Sequence, residues 1–324
     1  MKAHPCALVG VVLLPLVVCG CPGRPERFVS LETLVAEHNA NARRVPRLWA
    51  RARMRLSFSD EKGRKFSWGS AAALAPSNGY VMLWKEPPAS AGSPEKLNFA
   101  LIGREVGMEM FRVGADAQMG LYYLWYSYGN EGQAWYGRQQ FAGAPDVVRM
   151  PIDPLQLVEV LGVTALPEPR ASAMPAVVMT LETDPYAYVV RYLRPQPVTG
   201  HLKIWREVYF RWDDKRPRRP FRVKLFDADG LCRVIADVGQ YAPVASDRQG
   251  EPPAIMPTDI RMSWPAIKNM QPASSIHIRL SEMSTTRDFS KDVFDFLSKL
   301  PAGLSDPIQV DGAYGLMGIE SGSP

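Results

Sequence analysis

Arg206 is the side chain whose type and setting most demand a chemical partner. In His201–Trp212 it shares strand parity with Leu202, Ile204, Val208, Phe210 and Trp212, so alternation turns it toward an apolar side. A guanidinium there needs an ion-pair partner, a bulge that re-aims it, or a polar ligand group inside a cavity. Arg51, Arg53 and Arg55 form a second set. Their alternate positions put all three on one strand face, a row suited to phosphate head groups, to an acidic envelope polymer, or simply to water. Lys215-Arg-Pro-Arg-Arg219 adds a compact basic loop. In the aromatic run Leu121–Tyr128, followed by Trp135-Tyr136, Tyr123 and Trp125 point one way and Tyr122, Leu124, Tyr126 and Tyr128 the other. A strand apolar on both faces needs cover on both. Tyr123 and Trp125 are thus candidates for the wall of a ligand cavity or an aromatic edge at a membrane interface, or for a hairpin buried between sheet and helix.

Catalytic constellations do not emerge. His4, His38, His201 and His277 show no metal-ligand spacing with one another or with Asp and Glu. No Gly-x-Ser-x-Gly elbow or phosphate-cradling loop occurs. Ser59-Asp-Glu-Lys62 and Ser93-Pro-Glu-Lys96 match a Ser-x-x-Lys pattern, but both fall in turn-forming stretches without companion motifs. Asp227-Ala-Asp-Gly230 opens like a calcium loop, lacks the later ligands, and reads as a hairpin turn. The expectation is a non-enzymatic chain with no cofactor and no metal. Nucleic acid is not expected as a partner, because there is no zinc pattern, dimerising heptad or long basic helix.

The N-terminus supplies the one covalent chemistry in view. After Lys2, the apolar run Ala7–Val18 is too short for a hydrocarbon core that takes about 20 residues, and Pro15 interrupts it. A positive start, a short apolar run and a small-residue exit are the pattern of a secretory signal. Val18-Cys19-Gly20-Cys21 resembles the bacterial lipobox, which makes the Cys21 thiol the expected site of lipidation. Cys19 is the poorer acceptor, since the branched Val18 precedes it. Each buried CH₂ contributes ~0.8 kcal/mol, so several acyl chains anchor where one would not. Pro22 stands where the enterobacterial rule for inner-membrane retention wants Asp, which favours the outer membrane. With Cys6 and Cys19 in the signal and Cys21 as anchor, only Cys232 of the four cysteines remains, and no intramolecular disulfide framework is possible. Cys232 reads as a small buried hydrophobe. The net charge of +5 gives at most a mild pull toward anionic surfaces.

These residues must be positioned by mostly extended chain. Ser30 caps a helix over Leu31–Arg44 that Pro46 stops. Alternation then predicts strands over residues 50–58, 79–85, 97–102, 105–112, 120–128 and 133–141, with turns at Ser77-Asn-Gly79, Gly103-Arg104 and Gly129-Asn-Glu-Gly132. Asp153, Pro154 and Gly162 bound a short central helix. Strands resume at 175–182, 186–194, 201–212, 221–226, 231–238, 255–264 and 274–280, and a helix is expected over Asp288–Lys299. No βαβ rhythm appears. The fold class is mainly β (α+β): a single curved antiparallel sheet forming an incomplete barrel, with N-terminal, central and C-terminal helices packed on its concave side. The expected division is 1–20 signal peptide, 21–27 lipidated tether, 28–300 folded domain and 301–324 flexible tail.

This layout resembles the LolA/LolB-like superfamily of periplasmic lipoprotein carriers and receptors. The parts that carry the resemblance are the opening helix running into Arg51–Phe58, the central Pro151-Ile-Asp-Pro-Leu helix, the hairpin Arg222–Gly230 and the late strand Ile260-Arg-Met-Ser-Trp-Pro265. The resemblance implies an apolar cavity for acyl chains beneath a helical lid. It also implies a lipid anchor to the outer membrane, with a lipid, an acylated protein or another envelope protein as partner. It assigns no functional residue to a position here. A structural envelope scaffold, or an accessory subunit of an outer-membrane assembly, is the alternative.

Overall fold

The computed structural model describes residues 28–59, 65–68, 78–86, 96–128, 131–144, 146–169, 176–196, 199–212, 217–246, 250–266, 273–301, 304 and 306–316. Cys21, the signal and the tether lie outside the described residues, as does most of both Ser-x-x-Lys stretches.

Helix α1 (Leu31–Arg43) starts where Ser30 Oγ accepts the Thr33 N–H at 3.2 Å, and it buries Leu34, Val35 and Ala42. Strand β1 (Arg47–Ser59) follows, burying Ala50, Ala52, Met54, Leu56 and Phe58 on one face and turning Arg51, Arg53 and Arg55 to the other. β1 is the hub of the sheet. One edge takes β2 (Lys65–Trp68) and β3 (Gly79–Glu86) in succession, and the other takes β14 (Ser274–Ser284). From β3 the chain meanders outward through β4 (Lys96–Glu105), β5 (Met108–Asp116), β6 (Leu121–Tyr128) and β7 (Glu131–Arg138).

Helix α2 (Pro154–Val160) then carries the chain to the far edge. It is capped by Asp153, whose Oδ1 accepts the Leu155 N–H at 2.8 Å, and Gly162 at φ +70° ends the segment. The return path is β8 (Ala176–Thr183), β9 (Tyr186–Pro195), β10 (Leu202–Arg211), β11 (Pro220–Phe226), β12 (Cys232–Pro243), β13 (Ile255–Trp264) and back to β14. A two-residue strand, β15 (Ile308–Gln309), adds in parallel to β7. Among the described residues the result is one large, curved 15-stranded sheet, antiparallel except at β15, that stays open with β8 and β15 as its edges.

One face of this sheet forms the main core. Leu34 and Val35 of α1, Leu157, Val158 and Val160 of α2, and strand residues from Trp135 to Tyr188 join in a single apolar cluster. The opposite face carries smaller clusters, and there the structure departs from expectation. Asp288–Lys299 is not one helix. It is a 3-10 turn (Lys291–Phe294) and a one-turn helix α3 (Phe296–Lys299), separated by an extended Asp295 at φ −63°, ψ 113°. The extended residue sends Phe294 and Phe296 the same way, where a continuous helix would have turned them apart. Phe294 packs with Trp49, Met82, Ala100 and Ile102; Phe296 packs with Leu121, Tyr123, Trp125 and Tyr136. The C-terminal helix is therefore on the face opposite α1 and α2, not beside them.

Two further differences have simple causes. The β4–β5 turn falls at Val106-Gly107, with φ +48° and +84°, rather than at Gly103-Arg104. Gly103 stays inside the strand because the Phe111 ring crosses it; a Cβ there would lie 2.0 Å from that ring. The stretch expected as a flexible tail is packed over 306–316: Ile308 and Gln309 pair with β7, Val310 joins the main core, and the Asp311 side chain is fully buried against Arg138 at 2.5 Å.

Candidate functional site

The described residues enclose a cavity of about 30 Å³ between α1, α2 and the β10–β11 end of the sheet. Its walls are apolar at Val160, Leu161, Val208 and Val223, and its charged groups are Arg206, Arg218, Arg219, Glu37 and Glu159. The volume suits a few waters, not an acyl chain.

Arg206 reaches this cavity by strand alternation, on the main-core face with Val208 and Phe210 and opposite Tyr192 and Leu225. The β9–β10 register shifts between Ile204 and Arg206, so the residues before the bulge fall out of step with it and Leu202 is left exposed. The Arg206 side chain is 5% exposed, and its Nη2 meets Glu159 Oε2 of α2 at 2.5 Å. Its Nε has no partner. The guanidinium also lies over the Trp205 ring, 4.7 Å from the centroid, and Arg194 lies over the same ring at 4.1 Å. Burial, offset by Glu159, lowers the pKa of Arg194.

Arg218, a residue of the basic loop Lys215–Arg219, enters from the other side. Its backbone N–H donates to Glu37 Oε2 at 3.1 Å, and its Nη2 donates to the Trp212 carbonyl at 3.4 Å, while Nε and Nη1 are buried without partners. Sequence patterning could not single it out, because it lies on no strand and has no parity to break.

Polar residues on the buried side of α1 complete the surroundings. His38 Nε2 faces the Thr164 carbonyl at 3.1 Å. Burial lowers its pKa to about 4, with Arg206 and Lys85 adding to the shift. Asn39 clamps Leu166 reciprocally, donating to its carbonyl at 2.9 Å and accepting its N–H at 2.7 Å. Asn41 does the same with Ile255, at 2.8 Å in both directions. α1 is thus pinned along its C-terminal half by side-chain bonds, while its N-terminal half rests on the apolar packing of Leu34 and Val35.

The other candidates are elsewhere. Tyr123 and Trp125 are buried on the opposite face, against Phe296, Leu300 and Leu304, and do not line this cavity. Tyr123 donates its hydroxyl to the Phe294 carbonyl at 2.9 Å, and burial pushes its pKa up to about 12. Arg51, Arg53 and Arg55 also face away from the main core. Arg51 pairs with Glu282 at 3.1 Å; Arg53 stands opposite Arg279, and Arg55 opposite His277. His277 is in turn opposite Arg261, and Asp259 gathers Arg261, His277 and Arg279 at 3.1–3.3 Å. A groove of about 390 Å³ runs past Arg55, Arg261 and His277. Cys232 is half-buried, and its Asp227-Ala-Asp-Gly230 neighbour is a hairpin turn in which Asp227 Oδ1 accepts the Asp229 and Leu231 N–H groups. Among the described residues no helix is long and apolar enough to cross a membrane.

No protein-family model matches the sequence, and no curated protein matches it. Similar solved structures include the following three. A DUF1329 family protein from Desulfovibrio piger is 10% identical with a TM-score of 0.42, over 86% of this chain and 100% of that one. A putative outer membrane lipoprotein-sorting protein domain from Vibrio parahaemolyticus is 11% identical with a TM-score of 0.41, over 81% and 95%. A LolA superfamily protein from Nitrosomonas europaea is 13% identical with a TM-score of 0.39, over 82% and 98%.

Proposed function

We propose that this chain is a lipid-anchored protein of the cell envelope, held at the outer membrane through Cys21, that binds or relays lipids or acylated proteins without catalysing a reaction. The observation that carries this reading is the way α1 and α2 cover one face of an open sheet. Both helices bury Leu34, Val35, Leu157 and Val158 against apolar strand residues, and they are tied down by a handful of polar links such as Arg206–Glu159 and Asn39–Leu166. The cavity between them holds about 30 Å³, too little for an acyl chain. An acyl chain would enter by displacing helix side chains from the sheet, gaining ~25 cal/mol per Å² of apolar area removed from water. Lys2 through Cys21 supports export and anchoring, and Pro22 supports outer-membrane delivery.

The test is native mass spectrometry of the chain purified from membranes in mild detergent. Co-purifying lipid or acylated protein, displaced when α1 is locked to the sheet by an engineered disulfide, is the expected result. A lipid-free chain whose core stays closed to added lipid overturns it.

The arginine row favours a second reading, in which the chain is a scaffold or accessory subunit docked on an anionic envelope surface through Arg51, Arg53 and Arg55. Crosslinking in intact cells that captures one stable protein partner and no lipid would support it.

A further inference from the structure

Unsatisfied polar atoms are not spread evenly through this protein. Nine buried side-chain nitrogens and oxygens among the described residues lack a hydrogen-bond partner, and six of them belong to Tyr188, Tyr192, Trp205, Arg206 and Arg218. They fall in two groups, and Arg206 and Arg218 bring one guanidinium from each group to the wall of the cavity. Arg218 lies over the Tyr188 ring at 5.6 Å, Arg206 over Trp205 at 4.7 Å, and the Trp205 and Tyr192 rings are 5.9 Å apart. A buried polar group left without a partner costs ~1–3 kcal/mol, so a cluster of them calls for a missing occupant.

The chemistry of that occupant follows from the atoms. Arg206 and Arg218 line the cavity, and their unpartnered atoms, Arg206 Nε, Arg218 Nε and Arg218 Nη1, can only donate. The missing partner is therefore rich in acceptors. Two guanidinia facing it make an anion the better match, and their planar forks suit a phosphate above a halide. Glu159 and Glu37 already engage Arg206 Nη2 and the Arg218 backbone N–H, and they leave these donors unused. The remaining wall is apolar at Val160, Leu161 and Val208.

The position of the site adds a second line. Phe28, the first described residue, packs edge-on against Tyr188 at 5.7 Å, so the chain leaves toward its N-terminus beside the Arg218 side of the cavity. Six residues separate Phe28 from Cys21, so the Cα–Cα span is at most about 25 Å. If Cys21 is the anchor, this corner of the molecule faces the bilayer.

We propose that Arg206 and Arg218, lying over the rings of Trp205 and Tyr188, form a binding site for the phosphate of an anionic phospholipid headgroup at the membrane-proximal end of the α1–α2 cavity. This rests on the lipid-binding reading above and names the ligand class for it. The headgroup accepts from both guanidinia, and its glycerol end lies against Val160, Leu161 and Val208, where displacement of the helices would admit the acyl chains.

The full chain in dodecyl maltoside would be titrated with dihexanoyl phosphatidylglycerol, dihexanoyl phosphatidylcholine and inorganic phosphate, read by calorimetry and by thermal shift. Arg218→Gln, which leaves the Arg206–Glu159 pair untouched, is the diagnostic variant; an unchanged circular dichroism spectrum establishes that it folds. The expected result is phosphatidylglycerol bound roughly tenfold more tightly than phosphatidylcholine, with Arg218→Gln removing that preference and leaving phosphatidylcholine binding unchanged. Equal binding of the two lipids, unaltered in the variant, overturns the headgroup site while leaving lipid binding standing. Inorganic phosphate bound as tightly as phosphatidylglycerol overturns it in favour of a free-anion site. Failure of both lipids to bind overturns it together with the lipid-binding reading itself.

Discussion

Arg206 of β10 and Glu159 of α2 meet at 2.5 Å, so the buried arginine of the sheet is neutralised by the helix that covers it. Glu159 keeps 31% of its side chain exposed, whereas Arg206 keeps 5%. The two halves of the pair are therefore unequal. Removing Glu159 strands a buried charge with only the cavity to solvate it; removing Arg206 leaves a carboxylate that can turn outward. Glu159→Gln should lower stability by ~3 kcal/mol and Arg206→Met by less, with the double substitution Arg206→Met/Glu159→Leu near wild type. Urea melts of the four proteins measure this directly. Equal losses for both single variants would mean that the pair is not what holds α2 to the sheet at this point.

Two glycines in one hairpin separate turn chemistry from packing. At Gly107 a side chain would meet nothing within 4 Å, so Gly107→Ala costs only the positive-φ strain, about 1 kcal/mol. At Gly103 the backbone is ordinary strand, but a methyl group would collide with the Phe111 ring. Gly103→Ala should cost roughly 2–3 kcal/mol, and Phe111→Leu in the same chain should recover part of it by opening space. Thermal melts decide; a larger loss at Gly107 would place the hairpin's weakness in its turn.

That hairpin also shows what was legible in the sequence. Alternation located the strands well where one face is polar, as in β1 with its arginines and β13, whose limits Ile255 and Trp264 match the expected ones. The caps at Ser30 and Asp153 located both core helices. Gly103 misled because glycine signals a turn and a close approach alike. The pairing of β1 with β14, which seats the start of the chain beside its end, leaves no local trace. Arg206 announced a need for a partner but not which one, since Glu159 is distant in sequence. Arg218 was invisible, because nothing local distinguishes a loop arginine in water from one folded over Tyr188. The placement of Tyr123 and Trp125 depended on Phe296, and thus on one extended residue, Asp295.

The segment after Pro301 is predicted to be structural. Asp311 is fully buried and accepts the Arg138 Nε at 2.5 Å and the Arg138 backbone N–H at 3.2 Å, and Val310 enters the main core. These bonds hold the Asp311 carboxyl below its ordinary pKa. A chain ending at Pro301 should lose several kcal/mol and expose the backbone of β7 as a free edge, which promotes association. Size-exclusion chromatography with light scattering should then show oligomers absent from the full chain. A monomeric truncation with an unchanged melting temperature would contradict this.

Acid should act on the cavity through two groups of opposite sign. Burial keeps the His38 pKa at about 4, below its ordinary 6.5, so the folded state resists a proton that the unfolded chain accepts. That group's contribution is intact above pH 6.5 and is lost as pH falls toward 4, by at most roughly 3 kcal/mol. Asp153 is pushed up to about 6 by burial, despite its two backbone donors. It penalises the folded state above pH 6, and the penalty is relieved as pH falls toward 3.8. The two offset one another in the same window. Asp153→Asn, which keeps the N-cap, should be more stable than wild type at pH 7.5, and this advantage should vanish by pH 4. His38→Gln should flatten the acid limb instead. Chemical denaturation at pH 7.5, 5.5 and 4 tests both, and parallel pH profiles for all three proteins would rule out these groups as the source.

On the opposite face, Asp259 is the carboxylate on which Arg261, His277 and Arg279 converge, while Arg53 stands opposite Arg279. Like charges directly opposed across strands destabilise a sheet, and here one acid offsets several of them. Asp259→Asn should therefore cost more than a surface pair is usually worth, ~1–2 kcal/mol, and the cost should shrink in high salt because the repulsion it unmasks lies at an exposed face. Burial keeps the His277 pKa below its ordinary value, so at neutral pH the repulsion comes from the arginines alone. Urea melts of Asp259→Asn at 20 mM and 1 M salt would show a gap to wild type that narrows. A gap independent of salt would assign the loss to the hydrogen bonds of Asp259 instead of to its charge.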